Sequence, residues 1–332
     1  MINKIQQIVG YVTLNKTLNF IKLKFSYFIS KKKEKSLRNA LPYFISVEPA
    51  NYCQLHCPEC PVGQSATKKE TASVFNNTLF KQLINELKPT LVHTIFYFQG
   101  EPFLHKGVYE MIKYAHDNKI YTSTSTNAQI ITPKTAEDIT KSGLDKLIIS
   151  IDGTTQETYE KYRVGGNLDK ALKAVEYINY WKKELNSPTP LIEVQFLVLR
   201  TNEHQMEDMK KLCKAINADK LTFKTAQLYD YENGHPLLTT KKKYARYKKG
   251  KDGKFHLKKK QRNHCWRLWS GAVVNTNGDV LPCCFDKNAG FSYGNINEKS
   301  FAECWHSKKA SDFRERVLQN RKQYDICRNC TS

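Results

Sequence analysis

From residue 43 to residue 223, the chain alternates short apolar segments with longer segments of helical periodicity. Apolar residues recur at helical spacing between the short segments, for example at Leu79, Leu83 and Leu87. The six candidate strands are Tyr43–Val47, Leu91–Phe98, Ile120–Ser125, Lys146–Ile151, Ile192–Leu199 and Lys220–Phe223. Strands that alternate with helices form a mostly parallel sheet, which twist and right-handed crossovers curl into a barrel or partial barrel. The sequence therefore predicts an α/β fold whose chemistry lies at the carboxyl ends of the strands.

The loop after the first strand contains three cysteines, Cys53, Cys57 and Cys60, in the spacing Cys-x3-Cys-x2-Cys. Closed zinc sites and closed iron–sulfur sites take four protein ligands, so three thiolates indicate a cluster with one iron open for chemistry. A structural zinc is the alternative, with His56 as a nearby fourth ligand. Because His56 lies between two of the cysteines, we expect its side chain to point away. The position after the first strand of a barrel favours the redox cluster.

A second set of cysteines lies towards the end of the chain. Cys265, Cys283, Cys327 and Cys330 supply four thiolates, which can close a 4Fe–4S cluster or a zinc site. Asn277-Gly278, between two apolar segments, predicts a hairpin with a two-residue turn that brings Cys265 and Cys283 together. Cys284 should point to the opposite face of its strand, either as a spare thiol or as a ligand of a differently arranged site. Cys213 and Cys304 share helix faces with apolar residues and are predicted core thiols.

The three-cysteine loop resembles the signature of the radical S-adenosylmethionine (radical SAM) enzymes, and the resemblance covers nearly the whole chain after residue 40. It implies a partial (β/α)6 barrel, in agreement with the six candidate strands, and a 4Fe–4S cluster held by Cys53, Cys57 and Cys60. In this family S-adenosylmethionine chelates the open iron, and its reductive cleavage gives a 5′-deoxyadenosyl radical that takes hydrogen from the substrate. The electron would come from a donor such as flavodoxin or ferredoxin. Glu59 stands where many members have an aromatic residue.

Short motifs at later strand ends resemble the cofactor-binding motifs of the same family. Gln99-Gly100-Glu101-Pro102 is similar to Gly-Gly-Glu-Pro, Thr126-Asn127 to Thr-Asn-Gly, and Ser150-Ile151-Asp152-Gly153 to Ser-x-Asp-Gly. The resemblance implies S-adenosylmethionine contacts at Gln99, Gly100, Glu101, Asn127, Ser150, Asp152 and Arg163. Backbone carbonyls and the Glu101 carboxylate would accept hydrogen bonds from the cofactor's ammonium, and the guanidinium of Arg163 suits a carboxylate. For Asp152, an ordinary helix-capping turn explains the residue equally well.

The C-terminal cysteines resemble the truncated form of the SPASM extension of these enzymes, sometimes called the Twitch domain. One auxiliary 4Fe–4S cluster is implied, on Cys265, Cys283, Cys327 and Cys330, with zinc as the alternative because both use thiolate ligands. An auxiliary cluster can accept the second electron from a substrate radical, which favours a radical SAM oxidoreductase. The alternative within the family is a peptide or protein maturase. The sequence indicates neither the substrate nor a general base.

The charge balance favours an anionic partner. The chain has 53 Lys and Arg against 32 Asp and Glu, a net charge of +21, which suits an acidic peptide, a phosphorylated sugar or a lipid headgroup. A rival of another class is a non-catalytic nucleic-acid-binding protein with two structural zinc sites. It would be colourless, whereas the enzyme would be brown and oxygen-sensitive. Nucleic acid is disfavoured because the excess charge is concentrated in two segments and no RNA-binding module is recognisable.

The sequence predicts four segments. Residues 1–40 form a basic amphipathic helical segment, 41–240 the radical SAM core, 241–262 a basic linker with twelve Lys or Arg, and 263–332 the auxiliary-cluster module. The apolar stripe of the first helix consists of Leu14, Leu18, Ile21, Phe25 and Phe28. We expect this stripe to pack on the core, with binding to an anionic membrane surface as the alternative. Ten cysteines without a cleavable signal peptide or a membrane span predict a reduced, cytoplasmic compartment.

Overall fold

The computed structural model describes residues 8–37, 40–64 and 72–331, and its centre is one eight-stranded sheet. The strands are β1 (Phe44–Val47), β2 (His93–Ile95), β3 (Tyr121–Thr126), β4 (Lys146–Ser150), β5 (Leu191–Val198), β6 (Lys220–Thr225), β9 (Gly271–Val274) and β10 (Val280–Leu281), with β7 (Tyr247–Lys249) and β8 (Phe255–Leu257) in a separate hairpin. The sheet order is β10-β9-β1-β2-β3-β4-β5-β6, and only the β9–β10 pair is antiparallel. The six predicted strands and the partial barrel are therefore confirmed.

Helices surround the sheet, and most of them pack on its outer face. They are α1 (Leu14–Lys33), α2 (Pro61–Gln64), α3 (Asn77–Leu87), α4 (Val108–Asp117), α5 (Pro133–Lys141), α6 (Gln156–Glu160), α7 (Leu168–Glu184), α8 (Met206–Ala215), α9 (Arg267–Ser270), α10 (Phe301–Trp305), α11 (Lys308–Asn320) and α12 (Asp325–Arg328). Along β1, Ile45 and Val47 are buried in the main core under these helices, whereas Phe44 and Ser46 line a pocket on the other face. This alternation separates an apolar outer layer from a barrel interior with polar side chains.

The second strand is shorter than predicted because the chain turns away after Ile95. The Phe96 amide still donates to the Ser123 carbonyl, at 2.8 Å. The Tyr97 carbonyl, in contrast, accepts its hydrogen bond from a side chain, the hydroxyl of Ser46 in β1. The residues after Tyr97 are thereby released from the sheet and form the turn that contains Gly100.

The C-terminal module adds its hairpin to the barrel sheet. β9 pairs in parallel with β1, residue for residue from Phe44 opposite Gly271 to Val47 opposite Val274. The predicted hairpin is present, but its turn spans the five residues 275–279 and not two. The longer turn is stabilised by the Asn275 carboxamide oxygen, which accepts from the amides of Asn277 and Asp279. Gly278 has a φ of 88°, the left-handed conformation that the sequence predicts for it.

The basic segment 241–262 is not a structureless linker, which corrects the sequence prediction. It forms the antiparallel hairpin of β7 and β8. Tyr247 is buried, its hydroxyl bonds to the backbone of Leu228, and its ring stacks on Tyr231 with 4.0 Å between centroids. The Gln261 carboxamide donates to the carbonyls of Cys327 and Cys330. Its lysine-rich composition predicted a linker, but Tyr247, Phe255 and Leu257 of the two strands pack inwards.

The orientation of α1 also contradicts the prediction. The buried residues of this helix are Lys16, Asn19, Leu23, Ser26 and Ser30. All five residues of the apolar stripe are exposed. The prediction that the stripe packs on the core was therefore wrong, since the helix contacts the body through its opposite, mainly polar face. Across the described part of the chain, no helix combines the length and hydropathy required to cross a bilayer.

Candidate functional site

The cysteine loop (residues 53–60) follows β1 at the carboxyl edge of the sheet, where the barrel topology predicts the site. The Cys60 amide donates to the Cys57 carbonyl at 3.1 Å, so the last two cysteines lie in one tight turn that leads into α2. Gly63 of that helix approaches so closely that a Cβ there would lie 2.7 Å from the Cys57 nitrogen. His56 is exposed and its Nδ1 lies 3.3 Å from the Gly63 carbonyl, so its ring points away from the thiols.

The thiols of the loop contact polar side chains from two other parts of the chain, one after β3 and one after α6. Asn127, after β3, donates from Nδ2 to the Cys53 sulfur at 3.3 Å. Arg163, after α6, points Nη1 at the Cys57 sulfur at 3.8 Å. Burial raises the pKa of Cys53 to about 12 and also raises the pKa of Cys57. These thiols therefore become thiolates only where bound cations compensate the charge, which fits a metal cluster.

Glu101 connects the ends of β2 and β3. Its carboxylate is buried, and it accepts hydrogen bonds from the Thr126 hydroxyl at 2.7 Å and the Asn127 amide at 2.9 Å. It also caps the turn that begins at Pro102. Burial raises the pKa of Glu101 to about 7, against the opposing effect of these hydrogen bonds. Both its oxygens accept from protein donors and fix the backbone beside Cys53. The cofactor contact that the sequence predicts for this carboxylate stays a prediction.

Arg163 and Asp152 form a buried ion pair beneath the cysteine loop. The Asp152 carboxylate is fully buried and accepts from Arg163 Nε and from the Leu197 amide, each at 2.6 Å. Because the backbone carbonyl of Asp152 also accepts from Asn202 at 2.9 Å, the residue joins the ends of β4 and β5. The pair leaves the tip of the guanidinium directed at Cys57. Asp152 thus positions Arg163, a role beyond the capping turn considered from the sequence.

Two of the three remaining sequence candidates, Gln99 and Ser150, have different surroundings. The Gln99 carboxamide donates to the Lys287 carbonyl at 2.8 Å, so it contacts the C-terminal module. Ser150 is the last residue of β4, paired with Gln195 of β5 and partly exposed on the interior side. Gln54 was missed by the sequence reasoning; its carboxamide donates to Asn127 Oδ1 at 3.0 Å. Its position within the cysteine loop was the sequence signal that could have identified it as a site residue.

Glu59, the departure from the family pattern, joins the cysteine loop to the segment after β6. Its carboxylate accepts from the Tyr229 amide at 2.8 Å and lies 3.3 Å from His235 Nε2. The same segment contributes Leu228 and Leu237 to an apolar cluster that contains Leu55 and Cys57. Glu59 therefore has a structural partner in this chain, in place of the aromatic residue found in many relatives.

The four C-terminal cysteines line one pocket. Cys265, Cys283, Cys327 and Cys330 enclose it together with apolar side chains that include Leu268, Phe313 and Val317. The buried Arg321 interacts electrostatically with Cys265, Cys327 and Cys330, and Arg267 does so with Cys283 and Cys265. Two guanidinium groups thus face a four-thiolate set, which suits the negative charge of a cluster with four thiolate ligands. Neither arginine was identified from the sequence, because no local motif relates them to the cysteines.

Cys284 lies in the turn after β10 and not in the strand that the sequence predicts for it, and it faces the barrel interior. It lines a second pocket with Phe44, Ser46 and Tyr97 of the barrel. Cys283 lines both this interior pocket and the auxiliary pocket. Over residues 8–37, 40–64 and 72–331, no three His, Cys, Asp or Glu side chains surround a single ion position. The thiolates of a 4Fe–4S cluster bind different irons, so the donor set fits such a cluster without converging on one point.

Replacing Gly100 with alanine should distort the cysteine loop. A Cβ on Gly100 would lie 2.1 Å from the Ala50 carbonyl oxygen and 2.8 Å from the Tyr52 nitrogen, so backbone must shift. We expect Gly100→Ala to lower the free energy of unfolding by about 1–3 kcal/mol, measured by urea unfolding under anaerobic conditions. Gly10→Ala is the matched control, because nothing lies within 4 Å of a Cβ there. Equal stability of the two variants would contradict the close approach.

Two family models match this chain. The model of the radical SAM superfamily matches residues 47–213, and that of the SPASM iron–sulfur cluster-binding domain matches residues 265–331. PqqA peptide cyclase of Bradyrhizobium diazoefficiens is 26% identical over 205 residues, which cover 61% of this chain and 51% of that protein. Mycofactocin maturase MftC of Mycolicibacterium smegmatis is 24% identical over 297 residues, 82% of this chain and 73% of that protein.

Among solved structures, SuiB of Streptococcus suis bound to S-adenosylmethionine has the same fold, with a TM-score of 0.62 and 15% identity over 96% of this chain and 78% of SuiB. The chain spans about half the length of PqqA peptide cyclase, 51%. The two matched domains imply S-adenosylmethionine and two iron–sulfur clusters as cofactors. The chain belongs to the radical SAM superfamily and has a C-terminal SPASM domain.

Proposed function

We propose that this protein oxidises an acidic peptide by radical SAM chemistry, and that Cys53, Cys57 and Cys60 hold the catalytic cluster. Cys265, Cys283, Cys327 and Cys330 hold the auxiliary cluster. When bound, S-adenosylmethionine and the two clusters supply a 5′-deoxyadenosyl radical that takes a hydrogen atom from the substrate, and an acceptor for a second electron. The peptide class rests on relatives whose names state peptide substrates, PqqA peptide cyclase among them.

The residues around the cysteine loop would orient the cofactor. Asn127, after β3, and Arg163, after α6, direct an amide and a guanidinium towards the cysteine sulfurs. A guanidinium held at Nε by Asp152 keeps its other donors for a carboxylate, which is the group that S-adenosylmethionine offers. We assign the cofactor contacts to the backbone of Gln99 and Gly100, to Asn127, to Ser150 and to Arg163. Glu101 and Asp152 position these groups from beneath.

The position of Cys283 is the observation on which the oxidative reaction rests. Cys283 lines the interior pocket, which we assign to the substrate, and also the auxiliary pocket. Cys283 and Arg267 both line the two pockets, so the two spaces are adjacent. Loss of a hydrogen atom followed by loss of one electron and one proton gives a product lighter than its substrate by two hydrogen atoms. Formation of a peptide cross-link and oxidation of an alcohol to a carbonyl both remove two hydrogen atoms in this way.

The charge of the β7–β8 hairpin supports an acidic peptide. Phe255 and Leu257 of this hairpin pack in the same apolar cluster as Leu55 and Cys57. The outward side chains of Lys248, Lys249, Lys251 and Lys254 are exposed beside that cluster. A lysine-rich surface next to the site raises the local concentration of anionic substrates.

The test uses two pools of synthetic peptides with anaerobically reconstituted protein. In the peptides of one pool, Glu alternates with positions that hold any of the other amino acids. The peptides of the matched pool have Lys in place of each Glu. We expect the acidic pool to stimulate 5′-deoxyadenosine formation about tenfold more than the basic pool. Mass spectrometry should then find acidic peptides lighter by two hydrogens.

Two matched variants separate the steps. The triple variant Lys248→Gln/Lys251→Gln/Lys254→Gln should weaken the preference for acidic peptides. The triple variant Lys210→Gln/Lys211→Gln/Lys214→Gln, in exposed positions of α8, should leave it unchanged. A methylated or rearranged product would contradict the oxidation. Equal stimulation by both pools would contradict the acidic substrate, and no stimulation by either pool would contradict the peptide class.

A further inference from the structure

The first helix presents its apolar stripe to solvent. Leu14 is 74% exposed, Ile21 56% and Phe25 64%, although these are the residues that an ordinary surface helix buries. Within the described ranges, eight exposed large apolar side chains lie before residue 30: Val9, Val12, Leu14, Leu18, Phe20, Ile21, Phe25 and Phe28. Only five lie after residue 70 in those ranges: Val74, Val164, Tyr180, Leu185 and Tyr229. The exposed apolar surface is therefore concentrated on one short segment, as at an interaction site.

The rotational arrangement of α1 is regular. Each residue advances roughly 100° around a helix, so the five residues of the stripe lie within about 40° of one line along the helix. Lys22 and Lys24 then lie about 80° from this line, one on each side of the stripe. Lys32 lies on the same line at the C-terminal end of the helix. The buried face centres on Leu23, almost opposite the stripe. An apolar strip bordered by lysines on both sides is the pattern of a helix at a lipid interface.

Polar contacts fix α1 in this orientation. The Lys16 ammonium donates to the Lys119 carbonyl at 2.6 Å, and the Asn19 carboxamide exchanges two hydrogen bonds with the backbone of Leu41. Rotation of the helix to bury its stripe would break these bonds and leave buried polar groups unpaired. The exposure of the stripe is thus specified by the fold.

We propose that α1 binds the surface of a bilayer that contains anionic lipids. No Asp or Glu occurs between residues 14 and 33, so the lysines beside the stripe have no acidic partner on the helix itself. A second copy packed on the same stripe would bring Lys22 and Lys24 of both helices together without carboxylates to neutralise them. Anionic headgroups supply that neutralisation, while the acyl region takes up Leu18, Ile21 and Phe25.

This arrangement also orients the active site. Lys119 and Leu41 precede β3 and β1, so α1 lies at the amino ends of the strands. The cysteine loop lies at the carboxyl ends, at the far side of strands such as β5, whose eight residues span roughly 26 Å. A bilayer bound to α1 would therefore face away from the site. Substrate would enter from the aqueous side, and a headgroup of the same membrane would not reach the cysteine loop.

The experiment is flotation of the full chain with vesicles of phosphatidylcholine, with and without phosphatidylglycerol. We expect binding to the anionic vesicles that weakens with salt. Phe25→Asp should weaken this binding about tenfold or more, because it removes a large apolar group from the interface. Asn15→Asp is the control, since it changes the charge equally on an exposed position of the same helix outside the stripe. Lys22→Gln should weaken binding to anionic vesicles about fivefold.

Three results would overturn this proposal. The first is that the parent chain does not float with anionic vesicles. The second is that Phe25→Asp and Asn15→Asp bind the vesicles equally. The third is that the parent chain forms a concentration-dependent dimer, abolished by Phe25→Asp, and does not bind vesicles. Circular dichroism and basal 5′-deoxyadenosine formation should be unchanged in all three variants, because Phe25, Asn15 and Lys22 are exposed far from the cysteine loop. Vesicle binding does not depend on the proposed reaction, so each can fail without the other.

Discussion

An anaerobically reconstituted Cys57→Ala variant is expected to bind about half the iron and sulfide of the parent and to form no 5′-deoxyadenosine from S-adenosylmethionine. The reason is that the proposed catalytic cluster has only three protein ligands, so removing one leaves too few to hold it. Cys57 is also the buried member of the set and the one that Arg163 faces. The remaining iron should belong to the auxiliary cluster, whose four cysteines are untouched. Iron, sulfide and zinc analysis together with product chromatography measures both effects.

Two other alanine variants serve as controls. Cys213 is buried next to the Met209 sulfur, at 3.8 Å, and Cys304 is buried in the main core. Neither lies with the thiols of the two proposed sites, so Cys213→Ala and Cys304→Ala should keep the full iron content and activity. Cys265→Ala should instead lose the other half of the iron and retain the catalytic cluster. Stoichiometric zinc without iron in the parent chain would contradict both assignments and favour the zinc-bearing alternative.

The parts of the fold that the sequence predicts are those with a local signal. Alternating strand and helix patterns require a parallel sheet, and the order of the strands then determines which loops meet at its carboxyl edge. The three cysteines of the loop are close together in sequence, and Asn127 and Arg163 follow later strands, so their convergence could be anticipated. How each side chain is used could not, because the partners of Glu101 depend on the exact path of the chain after β3.

The errors of the sequence prediction concern long-range packing. Periodicity defines an apolar stripe on α1, but the buried face is determined by acceptors at Leu41 and Lys119, far along the chain. The lysine content of residues 241–262 obscured the alternation of Phe255 and Leu257, whose packing makes the segment a hairpin. Arg321 lies beside three cysteines without any motif that relates them. Composition and periodicity describe a segment alone, whereas burial is decided by the rest of the molecule.

Asp152→Ala is expected to lower the free energy of unfolding by about 3–5 kcal/mol, as removing one member of a buried ion pair does. The substitution leaves the Arg163 guanidinium without its carboxylate and the Leu197 amide without its acceptor. Because Arg163 would no longer be held beneath Cys57, binding of S-adenosylmethionine should weaken as well. Urea unfolding and equilibrium binding of the cofactor to the anaerobic protein measure the two effects separately.

The double variant Asp152→Ala/Arg163→Met distinguishes a structural pair from two independent residues. Removing both charges avoids an unpaired buried ion, so we expect its loss of stability to be clearly smaller than the sum of the two single losses. Its affinity for S-adenosylmethionine should nevertheless stay as low as that of Arg163→Met, because the guanidinium that we assign to the cofactor carboxylate is absent. Additive losses of stability would show that the two residues act independently. Full cofactor affinity in the double variant would remove Arg163 from the binding site and leave the ion pair as a purely structural link between β4, β5 and the cysteine loop.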